Sequence, residues 1–343
     1  MTSEADRLVQ EGEKHLKTGF FKWRPDFDSA ADCFQKAGLA YKKHKNLEKA
    51  VSAFLKVADC YYKNGSRFHS GKAREEAGLV YKDMKDFENA LKCLDHASEL
   101  YLEDGTPDTA AMCLDRGGKM VEMTHPAWAA SSYLKGAEIY ENEDKSRLRS
   151  AAELVGKAAR IQVRMNKLSE AVKTIEHEKQ LYSQVDGGDH GAGSRLTCAM
   201  VLVHLHIGDQ VHAEQSVYDA CENIDGFNES EEYDALMGLV EAYDQRDQDA
   251  ASRILNTPLF KYMDTAYAKL ARSLKVPGYV PGNAVKTESN SHKPRHNLDD
   301  MTKQADEMAD KFASLQSSVP NPHQSNQTPQ SSSAVEEEEF DLC

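Results

Sequence analysis

Helix breakers are scarce in this sequence. Its 343 residues include only 10 prolines and 20 glycines, and five of the prolines lie between 278 and 335. The first 275 residues, dominated by Ala, Leu, Lys and Glu, are thereby left free to form helix. Long apolar runs are missing as well. No stretch of about 18 apolar residues occurs, so nothing is expected to span a bilayer. Positive charge is in deficit: a net charge of −14 argues against general nucleic-acid binding, which needs a cationic surface to displace counterions. It leaves room for a local basic patch. The seven cysteines include no C-x-x-C pair. Their odd number and wide spacing suit a reducing compartment, with most acting as small buried apolar residues. The opening MTSEADRLVQEGEKHL is too charged for a signal peptide. The expectation is a soluble, cytoplasmic chain with membrane contact that is at most peripheral.

Catalytic signatures are lacking too. No G-x-S-x-G, H-E-x-x-H or Walker pattern occurs, and no Cys/His arrangement suggests a nucleophile. The Gly-rich stretch at 187–193, GGDHGAG, follows no strand and precedes no Gly-Lys-Ser/Thr, so it reads as a turn. His204 and His206 are two apart on a helix and face different ways. His204 and His212 are eight apart, with no carboxylate at ligand spacing. They read as core or surface histidines. No catalytic, cofactor or metal residue is expected, and the chain is read as a non-enzyme.

What is present is a repeat. GLAYKKHKNLEKAVSAFLKVADCYYKNG from Gly38 and GLVYKDMKDFENALKCLDHASELYLEDG from Gly78 align without a gap at an offset of 40 residues. Tyr41 falls on Tyr81, Ala50 on Ala90, Tyr61 on Tyr101 and Gly65 on Gly105. Tyr140 and Tyr182 continue the series more weakly, as do Ala37, Ala77, Gly117 and Ala158. A period near 40 leaves room for two helices of about 16–18 residues and short turns. Small residues stand where the helices approach, and Tyr and Phe fill the gaps between hairpins. Lys45-Asn46 and Lys85-Asp86 read as turns within units, Asn64-Gly65 and Asp104-Gly105 as turns between them. Pro107 and Pro126 suit helix starts.

The expected fold is all-α: a right-handed solenoid of TPR-like helical hairpins over 1–186, capped by a C-terminal helical bundle over 187–276. In that bundle 194–209, 210–224, 230–247, 248–255 and 257–274 read as helical. Residues 277–343 read as a linker and mostly disordered tail. Within it Leu298, Met301, Ala305, Met308, Phe312 and Leu315 mark a short heptad stripe over 298–315, equally compatible with a docking helix and a transient one.

Three constellations carry more information. Phe20, Phe21 and Trp23 are interleaved with Lys17, Lys22 and Arg24, which suits a lipid interface and equally a staple between the first two helices. Lys157, Arg160 and Arg164 share one helix face. With Arg147 and Arg149 just before them, they could grip an acidic partner, although a solvated outer face is the commoner outcome of such runs. The chain ends EEEEFDLC, an acidic tail with an apolar tip.

LKTGFFKWRPDFDSAA, YLEDGTPDTAAMCLDRGGK, VLVHLHIGDQVHAEQ, LVEAYDQRDQDA and TPLFKYMDTAYAKLARSLKVPG together make the chain resemble the soluble N-ethylmaleimide-sensitive factor attachment proteins, in their gamma form. The resemblance spans roughly 16–278. It implies a monomeric adaptor that binds assembled, syntaxin-containing SNARE four-helix bundles and recruits the N-ethylmaleimide-sensitive factor ATPase for SNARE disassembly in vesicle-mediated transport, in the ER-Golgi or endosomal system. It implies a membrane-contacting loop at Phe20, Phe21 and Trp23, and ATPase contacts at Asp341, Leu342, Glu241 and Asp244. The next acidic position of the family's pattern is Gln245 here. Two SNARE-facing lysines of the alpha form fall on Met112 and Glu153. Either Arg147, Arg149, Lys157, Arg160 and Arg164 take over that grip, or this form serves other partners. The alternative function is a non-catalytic repeat scaffold that binds peptide motifs in another trafficking complex.

Overall fold

The computed structural model describes residues 3–18, 23–185 and 188–279. The repeat pattern is realised as a series of near-identical helices. After α1 (Glu4–Leu16) come α2 (Phe27–Lys43), α3 (Leu47–Lys63), α4 (Arg67–Asp83) and α5 (Phe87–Glu103), each 17 residues long. They continue as α6 (Pro107–Val121), α7 (Pro126–Glu141), α8 (Leu148–Arg164) and α9 (Leu168–Gln184). Each helix packs on its neighbours in the chain, so α1 to α9 form a two-layered sheet of antiparallel hairpins. Among the described residues there is no strand, and no helix is long and apolar enough to cross a membrane.

Local chemistry fixes the hairpins. Asp26, Asn46 and Asp86 accept a bond from a first-turn backbone N–H with their side chains, which satisfies donors that the helix itself cannot. Pro107 and Pro126 open α6 and α7, as expected. The turns reverse through one left-handed residue about every 20: Lys45, Gly65, Lys85 and Gly105 all have φ between 61° and 82°. Close approach is set by small residues facing rings. A methyl group on Gly12 would lie 2.8 Å from the Phe34 ring, and one on Gly118 2.6 Å from that of Tyr133. Between layers, ion pairs recur near the repeat offset: Lys49–Asp6, Lys56–Glu13, Arg116–Glu75 and Lys135–Asp95 lie at 2.7–2.9 Å.

Six further helices follow: α10 (His190–Ile207), α11 (Gln210–Asn223), α12 (Glu231–Asp244), α13 (Gln248–Leu255), α14 (Pro258–Lys261) and α15 (Thr265–Ser273). α10 is buried nearly all round and is the axis of this region. The largest apolar core gathers Leu202, Phe227, Leu239, Phe260 and Leu270 around it, with Ala159, Val163 and Ile175 of α8 and α9.

Two expectations change. The stretch 187–193 is not all turn, because Asp189 caps α10 by accepting from the Ala192 N–H and helix begins at His190. Residues 257–274 are not one helix. Asp264, with its side chain accepting from the Ala266 N–H, starts α15 anew and leaves α14 a single turn. The heptad stripe at 298–315 and the tail lie outside the described residues.

Candidate functional site

α8 gives its apolar face to the core and its basic face to the neighbouring layer. Leu148, Leu154, Val155, Ile161 and Val163 are buried. Of the expected basic residues, each meets a carboxylate. Arg147 reaches Asp108 at 2.5 Å, Lys157 reaches Asp115 at 2.6 Å and Arg164 reaches Glu122 at 2.6 Å. These three acids are spaced by seven along α6 and its C-terminal cap, two turns apart, so they form one stripe facing the cations. Arg149 pairs with Asp189 at 2.8 Å and Arg160 with Asp264 at 3.4 Å, tying α8 to the caps of α10 and α15.

The electrostatics follow from that geometry. Burial pushes the Asp115 carboxyl up, but hydrogen bonds from Lys119 and Lys157 outweigh it and hold the group below its ordinary range. Glu122 behaves alike, with Arg164 and the Tyr133 hydroxyl as donors. The charge of the five cations is thus shared with fixed acids, three of them towards α6 and two towards the caps of α10 and α15. Arg147, Arg149 and Arg164 keep 43–53% of their side-chain surface exposed, whereas Lys157 and Arg160 are more enclosed, at 30% and 27%. The surface is a zipper of alternating charge, in which three arginines keep part of their side chains open to solvent.

Glu241 and Asp244 stand in the last turn of α12, both exposed. Gln245 donates to Glu241 Oε1 at 2.8 Å. Among the described residues neither acid pairs with a cation. Carboxylates at a helix C-terminus oppose its dipole, at about 0.3–1 kcal/mol each, so this end of α12 presents an uncompensated negative surface.

Trp23 is 88% exposed. Its ring therefore does not staple α1 to α2. Phe20, Phe21, Asp341 and Leu342 lie outside the described residues. His204 and His212 stack at 5.6 Å across the turn at Gly208, and Asp209 sits 2.7 Å from His212 Nδ1. The spacing of eight reflects a helix boundary, not one continuous helix.

Sequence reasoning missed a buried acid. Glu178 on α9 is 5% exposed. Its Oε2 has no hydrogen-bond partner among the described residues, nor does the hydroxyl of the neighbouring Tyr267 on α15. Burial pushes the Glu178 carboxyl up to about 7, against the attraction of Arg160 and with a further push from Asp264. The one signal in the sequence was Gly156 on α8, where a methyl group would overlap Glu178 Oε1.

Comparison with known proteins identifies the family. The sequence profile of the family described as soluble NSF attachment protein, SNAP, matches residues 3–257. A gamma-soluble NSF attachment protein of Dictyostelium discoideum is 23% identical over 273 residues, 80% of this chain and 83% of that one. One of Arabidopsis thaliana is 22% identical over 274 residues, 80% of this chain and 92% of that one. Among solved structures, the apo form of the quorum sensor NprR from B. thuringiensis aligns at TM-score 0.32 and 17% identity, over 78% of this chain and 75% of that one. That likeness is too low to bear on fold or function.

Proposed function

The chain belongs to the soluble NSF attachment protein family, and on that premise we propose that it is an adaptor that binds assembled SNARE complexes and recruits the N-ethylmaleimide-sensitive factor ATPase to disassemble them. In this reading the hairpin sheet, 1–186, lies along the SNARE bundle. The bundle at 187–276 and the tail end of 277–343 face the ATPase. The adaptor itself contributes no catalytic group. It works in the cytoplasm as a peripheral membrane protein, monomeric when free, in vesicle transport of the ER-Golgi or endosomal kind.

The observation that carries the reading, beside the family, is the end of α12. Glu241 and Asp244 are exposed, lack a cationic partner among the described residues and oppose the helix dipole, which suits a basic docking surface. Arg147, Arg149 and Arg164 offer guanidinium edges to an acidic bundle, with Lys157 and Arg160 behind them. Trp23, with Phe20 and Phe21, supplies the lipid contact. Asp341 and Leu342 supply the stimulating terminus.

The test is assembly of the full chain with a SNARE bundle and the ATPase under a non-hydrolysable nucleotide. Co-sedimentation of all three supports the proposal, and failure to form a ternary complex overturns it. The double variant Glu241→Lys/Asp244→Lys is expected to weaken ATPase recruitment at least about tenfold, as like charges replace a complementary pair, and to leave SNARE binding intact.

A further inference from the structure

Outside this machinery one cluster mixes soft and hard metal donors. α1 carries Glu11 and His15 one turn apart, and α2 carries Cys33. One ligand atom from each lies within 4.8 Å of the other two. The packing explains the convergence. Gly12, next to Glu11, lets the Phe34 ring approach as no larger residue would, at 2.8 Å from where a methyl group would stand. Phe34 follows Cys33, so the closest crossing of α1 and α2 also brings the three donors together. Asp26, the N-cap of α2, joins them: its backbone N–H donates to the His15 carbonyl at 3.1 Å, and its Oδ2 is 3.6 Å from His15 Nδ1.

We propose that Glu11, His15 and Cys33 form a divalent-metal site, with Zn2+ the cation that fits, clipping α1 to α2. Imidazole, thiolate and carboxylate on a flexible-geometry d10 ion are the Zn2+ donor set. Magnesium and calcium prefer oxygen alone. Asp26, with its Oδ2 3.6 Å from His15 Nδ1, places a further carboxylate beside the imidazole. Solvent or Asp26 itself completes the coordination. The thiol proton passes to the buffer when the Cys33 sulfur binds. The charge balance favours a cation here. Glu11, Asp26 and Asp32 put three carboxylates around Cys33, and Lys36 is the cation set against them. Lys36 is itself paired with Asp32 at 2.6 Å. The clip closes the base of the hairpin between α1 and α2.

The experiment is a Co2+ titration of the full, reduced chain followed by Zn2+ competition. The expected result is a thiolate-to-cobalt charge-transfer band saturating at one equivalent, with displacement by Zn2+. Cys33→Ser should abolish the band and weaken Zn2+ binding by at least about 100-fold, since even an outer-shell loss costs about 10–100-fold. Cys93→Ser should change neither. Glu11→Gln, on an exposed position that does not threaten folding, should weaken Zn2+ binding at least about tenfold and remove the rise in Tm that Zn2+ gives the unmodified chain. The proposal is overturned if the unmodified chain shows no such band, if the band survives in Cys33→Ser, or if Glu11→Gln binds Zn2+ as the unmodified chain does.

Discussion

The hairpin sheet and the capping bundle are both helical, yet they are built on different principles. From α2 to α9 the helices are 15–17 residues long, and apolar residues fall into several small clusters, each shared by adjacent hairpins. Ion pairs at the repeat offset join successive layers. From α10 to α15 helix lengths run from 4 to 18 residues, and one large core collects nearly every apolar side chain. A repeat sheet is stabilised by nearest-neighbour terms and can yield locally, whereas a single core ties its helices into one cooperative unit. The sheet can therefore yield hairpin by hairpin, whereas the bundle holds its surface, the end of α12 included, as one piece.

The sharpest way to break that contrast is a large deletion in the single core. Phe260 is fully buried, and Phe260→Ala should cost about 3–5 kcal/mol. Chemical denaturation followed by hydrogen exchange should show α10 to α15 losing protection together while α2 to α5 keep theirs. Uniform loss across both regions would show that the chain is one cooperative unit.

The junction is tested by pH. Glu178 lies where α8, α9 and α15 meet, facing Arg160 and Asp264 with Tyr267 beside it. Its folded carboxyl titrates at about 7, against an ordinary glutamate value of 4.5. Below that lower value both folded and unfolded chains hold the proton. Between the two only the folded chain does, so stability falls as pH rises through this window and the loss is complete above the folded value. Glu178→Gln removes the titration. It should be more stable than the unmodified chain at pH 8 by up to about 3 kcal/mol and close to it at pH 4.5. A constant difference across that range would show that Glu178 is not protonated in the folded chain.

Much of the sheet was legible in the sequence because its signals are local and repeated. The Gly38 and Gly78 segments, the turn at Gly65 and the prolines at 107 and 126 each report a constraint met within one hairpin. The turns at Lys45-Asn46 and Lys85-Asp86 were read, but not the left-handed backbone at Lys45, Lys85, Asn166 and Arg246; all four are exposed, and the backbone bonds that close each turn, such as Asn46 N–H to the Tyr41 carbonyl, hold a conformation that their side chains disfavour. The bundle was read less well where tertiary contacts decide. Asp264 stops one helix and starts another, and His190 is drawn into α10 by the Asp189 cap. The cations of α8 were found by helical spacing. Their partners Asp108, Asp115 and Glu122 lie 39 to 42 residues earlier, a distance that means contact only once the layers are stacked. Nothing local marks Glu178, whose environment is made by α8 and α15.

The smallest effect tests the stacking itself. Arg164 and Glu122 are partly exposed, at 43% and 28%, so their pairing should be worth no more than about 1 kcal/mol. A double-mutant cycle on Arg164→Met and Glu122→Gln should recover a coupling of about 0.5 kcal/mol that shrinks with added salt. Tyr133 complicates the single change at Glu122, because its hydroxyl also donates to that carboxylate at 2.8 Å; glutamine keeps an acceptor there and isolates the charge. The same cycle on Arg160 and Asp264 crosses from the sheet to the bundle. A coupling there that equals the first would mean that the layers and the junction are joined by the same weak, screened attraction. In that case the rigidity of the junction rests on the shared core of Val163, Ile175 and Leu270, and not on its charges.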